Sequence, residues 1–247
     1  MKHLRWQVLL AVFLVALSAV FYLVQISIFH SSRDTLFYLL QDLAFVPVQV
    51  LLVTLIINRL LSVREKRSRL EKLNMVIGAF FSEVGTTLLT HLSDCDPNLE
   101  KIREEFIVTN VWTEKEFERF SKRLLAYDYA IEQGKTDLVY LREFLTERRE
   151  FLLRLLENPN LLEHETFTEL LLSVFHLVEE LACREDVHNL PGTDITHITG
   201  DMIRAYRLLV HEWLDYMKHL KDNYPYLFSL AMRLNPFDKN ASPVVTW

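Results

Sequence analysis

Residues Trp6–Phe29, WQVLLAVFLVALSAVFYLVQISIF, form an apolar stretch of 24 positions without a charged residue. A second stretch, Leu36–Ile57, LFYLLQDLAFVPVQVLLVTLII, has 22 residues and a single charge, Asp42. About 20 apolar residues are enough for a helix to cross the hydrocarbon core of a bilayer, which is about 30 Å thick. The connection between the stretches, residues 30–35, is too short to be a domain. The sequence therefore predicts a transmembrane helical hairpin over residues 1–58.

A cleaved signal peptide is the alternative interpretation of the first stretch. Lys2 and Arg5 would be its basic region, and Ala16-Leu17-Ser18 resembles a weak cleavage site. The apolar run is longer than the roughly 7–15 residues usual for a signal peptide, and it continues past that site. We therefore favour the uncleaved hairpin.

Basic residues flank the hairpin on one side. Lys2 and Arg5 precede the first stretch, whereas the connection carries only Arg33 beside Asp34. The second stretch is followed by a basic collar, which consists of Arg59, Arg64, Lys66, Arg67, Arg69 and Lys72. An excess of Lys and Arg marks the cytoplasmic side, and such a collar attracts anionic lipid head groups. We expect a multi-pass protein of the cell's inner (plasma) membrane, with both termini in the cytoplasm and the lipid bilayer as a partner.

The remainder of the chain is acidic and helical. Residues 74–247 carry a net charge of −11, against +5 for residues 1–73. An acidic domain disfavours nucleic-acid binding, which needs a basic face to neutralise phosphates. Apolar residues recur at helical spacing, and no sustained alternation indicates strands. The fold class is predicted to be all-α, with a membrane hairpin and a cytoplasmic helical bundle.

The predicted organisation after the hairpin has three parts. A basic juxtamembrane helix continues from the second transmembrane helix over residues 59–93, an acidic bundle occupies 94–234, and a tail covers 235–247. Five helices are predicted in the bundle. They run from a capping box at Thr113 and Glu116 to about Gln133, from Asp137 to Glu157, from a capping box at Asn160 and Glu163 to about Arg184, from about Asp194 to Asp222, and in a short segment ending near Leu234.

Small residues lie along one side of the juxtamembrane helix. Gly78, Ser82 and Gly85 follow one another at helical spacing among large apolar residues. Each helical glycine costs up to about 1 kcal/mol relative to alanine, so their presence indicates close packing or a mild kink. We predict that this side packs against another helix, within the chain or in a second copy.

The sequence contains no recognisable catalytic motif. Five glycines exclude a Walker or dinucleotide loop, and two cysteines exclude the usual cysteine-based zinc site. Several histidines have carboxylates one turn away, as in His176 with Glu179 and Glu180, His197 with Asp201, and His211 with Asp215 and His219. The paired Glu-x-x-His motifs of ferritin-like metal sites are absent, and solvent-exposed i, i+4 pairs are commoner. We therefore predict no catalytic residue, no cofactor and no metal ligand, and a protein that is not an enzyme.

Polar residues interrupt the second apolar stretch. Tyr38, Asp42, Gln49 and Val53 fall on one helical stripe, with Pro47 between them. Ionisable residues inside a membrane usually face protein or water. In a ring of subunits, Asp42 would form the acidic mouth of a cation pore. The simpler alternative is a hydrogen bond from Tyr22 or Gln25 of the first helix to Asp42.

Two functional classes remain after these arguments. The first is a membrane-anchored scaffold or signalling protein that assembles through its cytoplasmic domain, with itself or with a cytoplasmic protein partner. The second is a homo-oligomeric cation channel lined by the second helix. A two-helix hairpin cannot enclose a pore alone, so the channel requires a ring of subunits. The scaffold assembles with itself or with a partner, and we expect a homo-oligomer.

Overall fold

The computed structural model describes residues 2–29, 32–159, 161 and 164–245. Helices make up 78% of the chain, and the described residues contain no strand. The prediction of an all-α fold is confirmed. The chain divides into two compact units, Met1–Lys66 and Arg67–Trp247.

Nine α-helices lie within the described ranges. They are α1 (Lys2–Phe29), α2 (Ser32–Phe80), α3 (Thr86–Asp94), α4 (Glu114–Leu125), α5 (Leu138–Glu147), α6 (Arg149–Leu156), α7 (Glu165–Ala182), α8 (Gly192–Asn223) and α9 (Pro225–Arg233). A π-helical turn, Phe81–Gly85, separates α2 from α3, and 3₁₀ turns lie at Leu99–Lys101, Arg103–Phe106 and Gln133–Lys135.

The first unit exposes apolar side chains on nearly every described face. The helical stretch Leu36–Glu65 has a mean hydropathy of 2.0 and none of its most apolar window is buried. In α1, the described apolar stretch is Ala16–Ile28. A further stretch, Glu71–Asp94, is also long and apolar enough to cross a membrane, but it is 44% buried within the fold. That stretch belongs to the core of the second unit.

The second unit is built around α7 and α8. These two helices pack against each other along most of α7, and α3, α4, α6 and α9 surround them. Leu170, Leu177, Leu209 and Met217 are among the residues that are fully buried in this core. Burial of apolar surface stabilises the fold by roughly 25 cal/mol per Å². The packed core also holds the polar side chains of α7 and α8 in fixed positions.

The helix predicted from Thr113 to about Gln133 is wrong in its second half. Thr113 and Glu116 do form the expected capping box, but α4 ends at Leu125. Residues 127–132 form no helix, and Tyr129 and Ile131 are buried in the core. The backbone N–H of Glu132 donates to the carbonyl of Cys95 at 2.8 Å. A short irregular segment therefore lies where the helical spacing of apolar residues had suggested helix.

The helix predicted from Asp137 to Glu157 is divided at Arg148. Arg148 has φ −101° and ψ 2°, which ends α5 and begins α6. Its guanidinium lies 4.0 Å over the ring of Phe144, and its Nε donates to the carbonyl of Glu83 at 2.9 Å. Glu83 belongs to the π-helical turn, so Arg148 links the α5–α6 junction to the irregular backbone that follows α2 in the chain.

The capping box predicted at Asn160 and Glu163 lies outside the described residues. The N-cap of α7 is His164, whose Nδ1 accepts a hydrogen bond from the backbone N–H of Phe167 at 3.2 Å. Histidine here takes the place of the usual Ser, Thr, Asp or Asn.

The beginning of the predicted tail packs into the second unit. Asn235 is buried and its amide donates to the carbonyl of Phe106 at 3.2 Å. Phe237 is fully buried, with its ring 5.1 Å from that of Trp213. Residues 235–237 are therefore part of the core, whereas residues 239–245 are exposed.

Candidate functional site

The polar residues singled out in the second apolar stretch divide into two groups. The hydroxyl of Tyr22 in α1 donates to Oδ2 of Asp42 at 3.3 Å. Both residues line a cavity of about 470 Å³ together with Gln25 and Tyr38. Gln49, Val53 and Pro47 lie farther along α2, where they are exposed and outside this cavity. Asp42 thus has a hydrogen-bond partner within its own hairpin.

The basic collar lies entirely on α2. The side chains of Arg59, Arg64 and Lys72 are exposed, and those of Lys66, Arg67 and Arg69 lie outside the described side chains.

The three small residues Gly78, Ser82 and Gly85 have different surroundings. A Cβ atom on Gly78 would lie 3.3 Å from the hydroxyl of Tyr216 in α8, and one on Gly85 would lie 2.6 Å from the ring of Phe81. The rings of Phe81 and Tyr216 stack with centroids 5.1 Å apart. Gly78 therefore allows α2 to approach α8 within one chain, whereas Ser82 is exposed.

Beside Gly78 lies an apolar groove of about 550 Å³ between the end of α2, α8 and α9. The groove is lined by Glu71, Asn74, Met75, Gly78, Ala79, Phe81, Ser82, Thr86, Trp213, Tyr216, His219, Leu220, Tyr224, Tyr226, Leu227, Leu230, Ala231 and Leu234. Tyr226, Leu227 and Leu230 of α9 are exposed along its edge, as is Met75 of α2. A continuous apolar surface of this kind is typical of an interaction site.

One histidine supplies the polar centre of the apolar groove. Nδ1 of His219 lies 3.2 Å from the amide nitrogens of both Asn74 and Asn223. Since amide nitrogens only donate, Nδ1 accepts and Nε2 carries the proton. Nε2 is buried and has no hydrogen-bond partner among the described residues. Burial lowers the pKa of His219, so the ring is held neutral.

A buried carboxyl group, that of Glu212, lies on α8 before His219 in the chain. Glu212 is 3% exposed and accepts a hydrogen bond from the hydroxyl of Thr166 at 3.1 Å. Nε2 of His164 lies 3.8 Å from its other oxygen. Burial, with a smaller contribution from the charge of Asp215, raises the pKa of Glu212 to about 7. The interface between α7 and α8 thus holds a carboxyl that changes charge near neutral pH.

A second polar cluster, which we call the histidine–carboxylate cluster, consists of His176 and Glu180 of α7 and His197 and Asp201 of α8. Nε2 of His176 lies 3.7 Å from Oε1 of Glu180 and 3.5 Å from Oδ2 of Asp201. Nε2 of His197 lies 3.6 Å from Oε2 of Glu180 and 3.5 Å from Oδ2 of Asp201. The sequence pairs each histidine with a carboxylate on its own helix, but it does not indicate that the two pairs meet.

Neighbouring arginines position the carboxylates of this cluster. Arg184 donates to Oε2 of Glu180 at 2.8 Å and also pairs with Asp194. The hydrogen bond from Arg184 lowers the pKa of Glu180, which is therefore ionised at neutral pH. Arg204 lies 3.0 Å from Oδ1 of Asp201.

Comparison with known proteins divides the chain in a similar way. Residues 69–233 match the family described as "Uncharacterized protein MJ1433, C-terminal helical domain", and residues 1–61 match "MJ1433, N-terminal helical domain". The chain belongs to the MJ1433 family. The protein "Uncharacterized protein MJ1433" of Methanocaldococcus jannaschii is 48% identical over 241 residues, which cover 98% of this chain and 97% of that protein. No solved structure matches the chain. Both family descriptions agree with the helical bundle.

Proposed function

We propose that this member of the MJ1433 family is a membrane-anchored scaffold, whose first unit spans a bilayer and whose second unit assembles with a second copy through the apolar groove. The apolar groove, with its exposed α9 edge, is the observation that carries the proposal. The cation-channel alternative has no comparable support, because Asp42 already has a partner in Tyr22.

The anchor is supported by the exposed apolar surface of the first unit. None of the most apolar window within Leu36–Glu65 is buried, and Phe37, Leu51 and Leu60 are each more than half exposed. Exposure of so large an apolar surface to water is unfavourable, whereas lipid tails would cover it. The backbone of a helix satisfies its own hydrogen bonds, as a membrane requires.

A second copy of the chain fits the groove for a geometric reason. α9 presents an apolar ridge (Tyr226, Leu227 and Leu230) directly beside the trough that it helps to form. In an isologous dimer, each ridge enters the trough of the other copy, so that one patch covers both surfaces. Anchoring in one membrane would also raise the effective concentration of the copies.

Particle mass tests the assembly. We expect the full chain in detergent to be dimeric or larger by light scattering, and Leu227→Glu with Leu230→Glu to produce monomers. Leu172→Glu is the matched control, since Leu172 is 55% exposed on α7 and lies outside the groove. A monomeric wild type, or a double variant of unchanged mass, would refute assembly through the groove. If a different protein co-purifies with the wild type and is lost from the double variant, that protein, rather than a second copy, occupies the groove.

Cysteine labelling tests the anchor and its orientation. In a background with Cys95→Ser and Cys183→Ser, an impermeant maleimide should label Ser32→Cys from outside intact cells and should not label Asn240→Cys. Labelling of Asn240→Cys in intact cells would overturn the orientation. Extraction of the chain by alkaline carbonate would overturn the anchor itself.

A further inference from the structure

We propose that the histidine–carboxylate cluster binds a divalent transition-metal ion, such as Zn²⁺, which links α7 to α8. The ligand atoms are Nε2 of His176, Oε1 of Glu180 and Oδ2 of Asp201. His197, whose Nε2 lies 3.5 Å from Oδ2 of Asp201 but outside this group of three, would reach the fourth position by rotation of its exposed side chain. The proposal does not depend on the membrane anchor or on assembly through the apolar groove.

The spacing of the ligand atoms fits such an ion. One atom from each of His176, Glu180 and Asp201 can be chosen so that all three lie within 4.8 Å of one another. Nε2 of His176 lies 3.7 Å from Oε1 of Glu180, and Nε2 of both His176 and His197 lies 3.5 Å from Oδ2 of Asp201. Tetrahedral ligands about 2.0–2.1 Å from a zinc ion are about 3.3–3.4 Å apart, so small movements of the side chains would complete the geometry.

Asp201 provides an independent indication of a ligand. Its side chain is 4% exposed, and its Oδ2 is buried without a hydrogen-bond partner. A buried carboxylate oxygen without a donor is costly. This oxygen is aimed at the ring nitrogens of His176 and His197, between which an ion would be bound.

Contacts with arginines also distinguish Glu180, which is a proposed ligand, from the neighbouring Glu179. Glu179, the residue before Glu180, is already paired with Arg149 at 2.7 Å and lies outside the cluster. Arg184 holds Oε2 of Glu180, which leaves Oε1 facing His176. Such outer contacts are what fix the orientation of metal ligands in other proteins.

The chemistry of the donors selects the class of ion. Two imidazole nitrogens and two carboxylate oxygens suit Zn²⁺ and its neighbours, whereas Mg²⁺ and Ca²⁺ prefer oxygen alone. His176 and His197 are about half exposed, so an ion could enter directly from solvent. Because two ligands come from α7 and two from α8, the bound ion would stabilise the pairing of these helices.

Calorimetric titration of the chelator-treated full chain with Zn²⁺ tests this inference. We expect one site per chain in the wild type, a melting temperature that rises with Zn²⁺, and at least a tenfold weaker affinity in Asp201→Asn. His176→Gln and His197→Gln change exposed side chains, so they test the ligands without disturbing the core. Co²⁺ bound in place of Zn²⁺ should give the absorption bands of tetrahedral coordination, which these variants lose.

The matched control is the pair Asp186 and His188, which lie 3.1 Å apart on an exposed loop without a buried carboxylate. His188→Gln should bind Zn²⁺ as the wild type does. The inference is overturned if the wild type binds no Zn²⁺, if folded ligand variants bind it equally well, or if His188→Gln removes the binding.

Discussion

Replacement of Glu212 by glutamine is expected to stabilise the protein above neutral pH and to leave its stability nearly unchanged near pH 4. Burial raises the pKa of this carboxyl to about 7, from an ordinary value of 4.5. Between these two values the unfolded chain loses the proton while the folded chain keeps it. The free energy of unfolding of the wild type therefore falls as pH rises through this window, and the loss is complete above about pH 7.

The size of the effect follows from the width of the window. One pH unit corresponds to about 1.4 kcal/mol at 25 °C, so the window contributes roughly 3 kcal/mol. Glu212 is 3% exposed, and solvent screening therefore reduces this figure little. The amide side chain of Glu212→Gln cannot ionise, but its carbonyl still accepts the hydrogen bond from Thr166. For a unit of this size, the gain corresponds to a melting temperature about 6–12 °C higher at pH 8.

Thermal unfolding of the full chain in detergent, from pH 4.5 to 8.5, measures this difference. Burial lowers the pKa of His164 and His211, so these groups destabilise the folded state as pH falls below about 6.5. The loss at His211 is common to both proteins and is removed by comparing them. His164 lies 3.8 Å from Glu212, so the two proteins are compared above pH 6.5, where its ring is neutral in both. Glu169→Gln, an exposed change on α7, should follow the wild type at every pH. Parallel melting curves for Glu212→Gln and wild type across the whole range would refute the reasoning.

Two further substitutions test the packing of each unit. Gly78→Leu should lower the melting temperature, at a cost of about 1–3 kcal/mol, because the new side chain would displace Tyr216 from Phe81. Gly200→Leu is the control that should not lower it, because the space around its Cβ position is open. Equal melting temperatures for the two variants would contradict the packing argument. Asp42→Asn should leave stability unchanged and should not alter cation flux in vesicles, because asparagine still accepts the hydrogen bond from Tyr22. A wild-type flux that Asp42→Asn abolishes would contradict this role and favour the channel.

The helices could be predicted from the sequence where one periodic signal was strong. Apolar spacing, with the capping box of α4, indicated the start of α4, the ends of α7 and α9 and the extent of α8 to within a few residues, because each helix buries one continuous face. Arg148 could not be predicted as a break, since arginine is a good helix former. Its conformation is set by a carbonyl of the π-helical turn, which is 65 residues away in the chain.

The candidate sites were harder to predict because they depend on contacts between helices. Glu212 is one of many helical carboxylates in the sequence, and only the packing of α7 over it reveals its burial. Similarly, the spacing of His176 to Glu180 and of His197 to Asp201 is typical of exposed helical pairs. The register of α7 against α8 brings the two pairs together, and a single sequence contains no signal for that register.

The interface between α7 and α8 contains two buried carboxyl groups whose surroundings differ. Glu212 faces a hydroxyl and a neutral imidazole, and the fold lowers the cost of burial by favouring its protonated form. Asp201 instead faces Arg204 and two histidines that are open to solvent. Protonation lowers the cost of burying Glu212, whereas the carboxylate of Asp201 and its two neighbouring imidazoles offer lone pairs that can bind a cation. If both arguments hold, Zn²⁺ should raise the melting temperature of Glu212→Gln as much as that of the wild type, because the two sites would contribute independently.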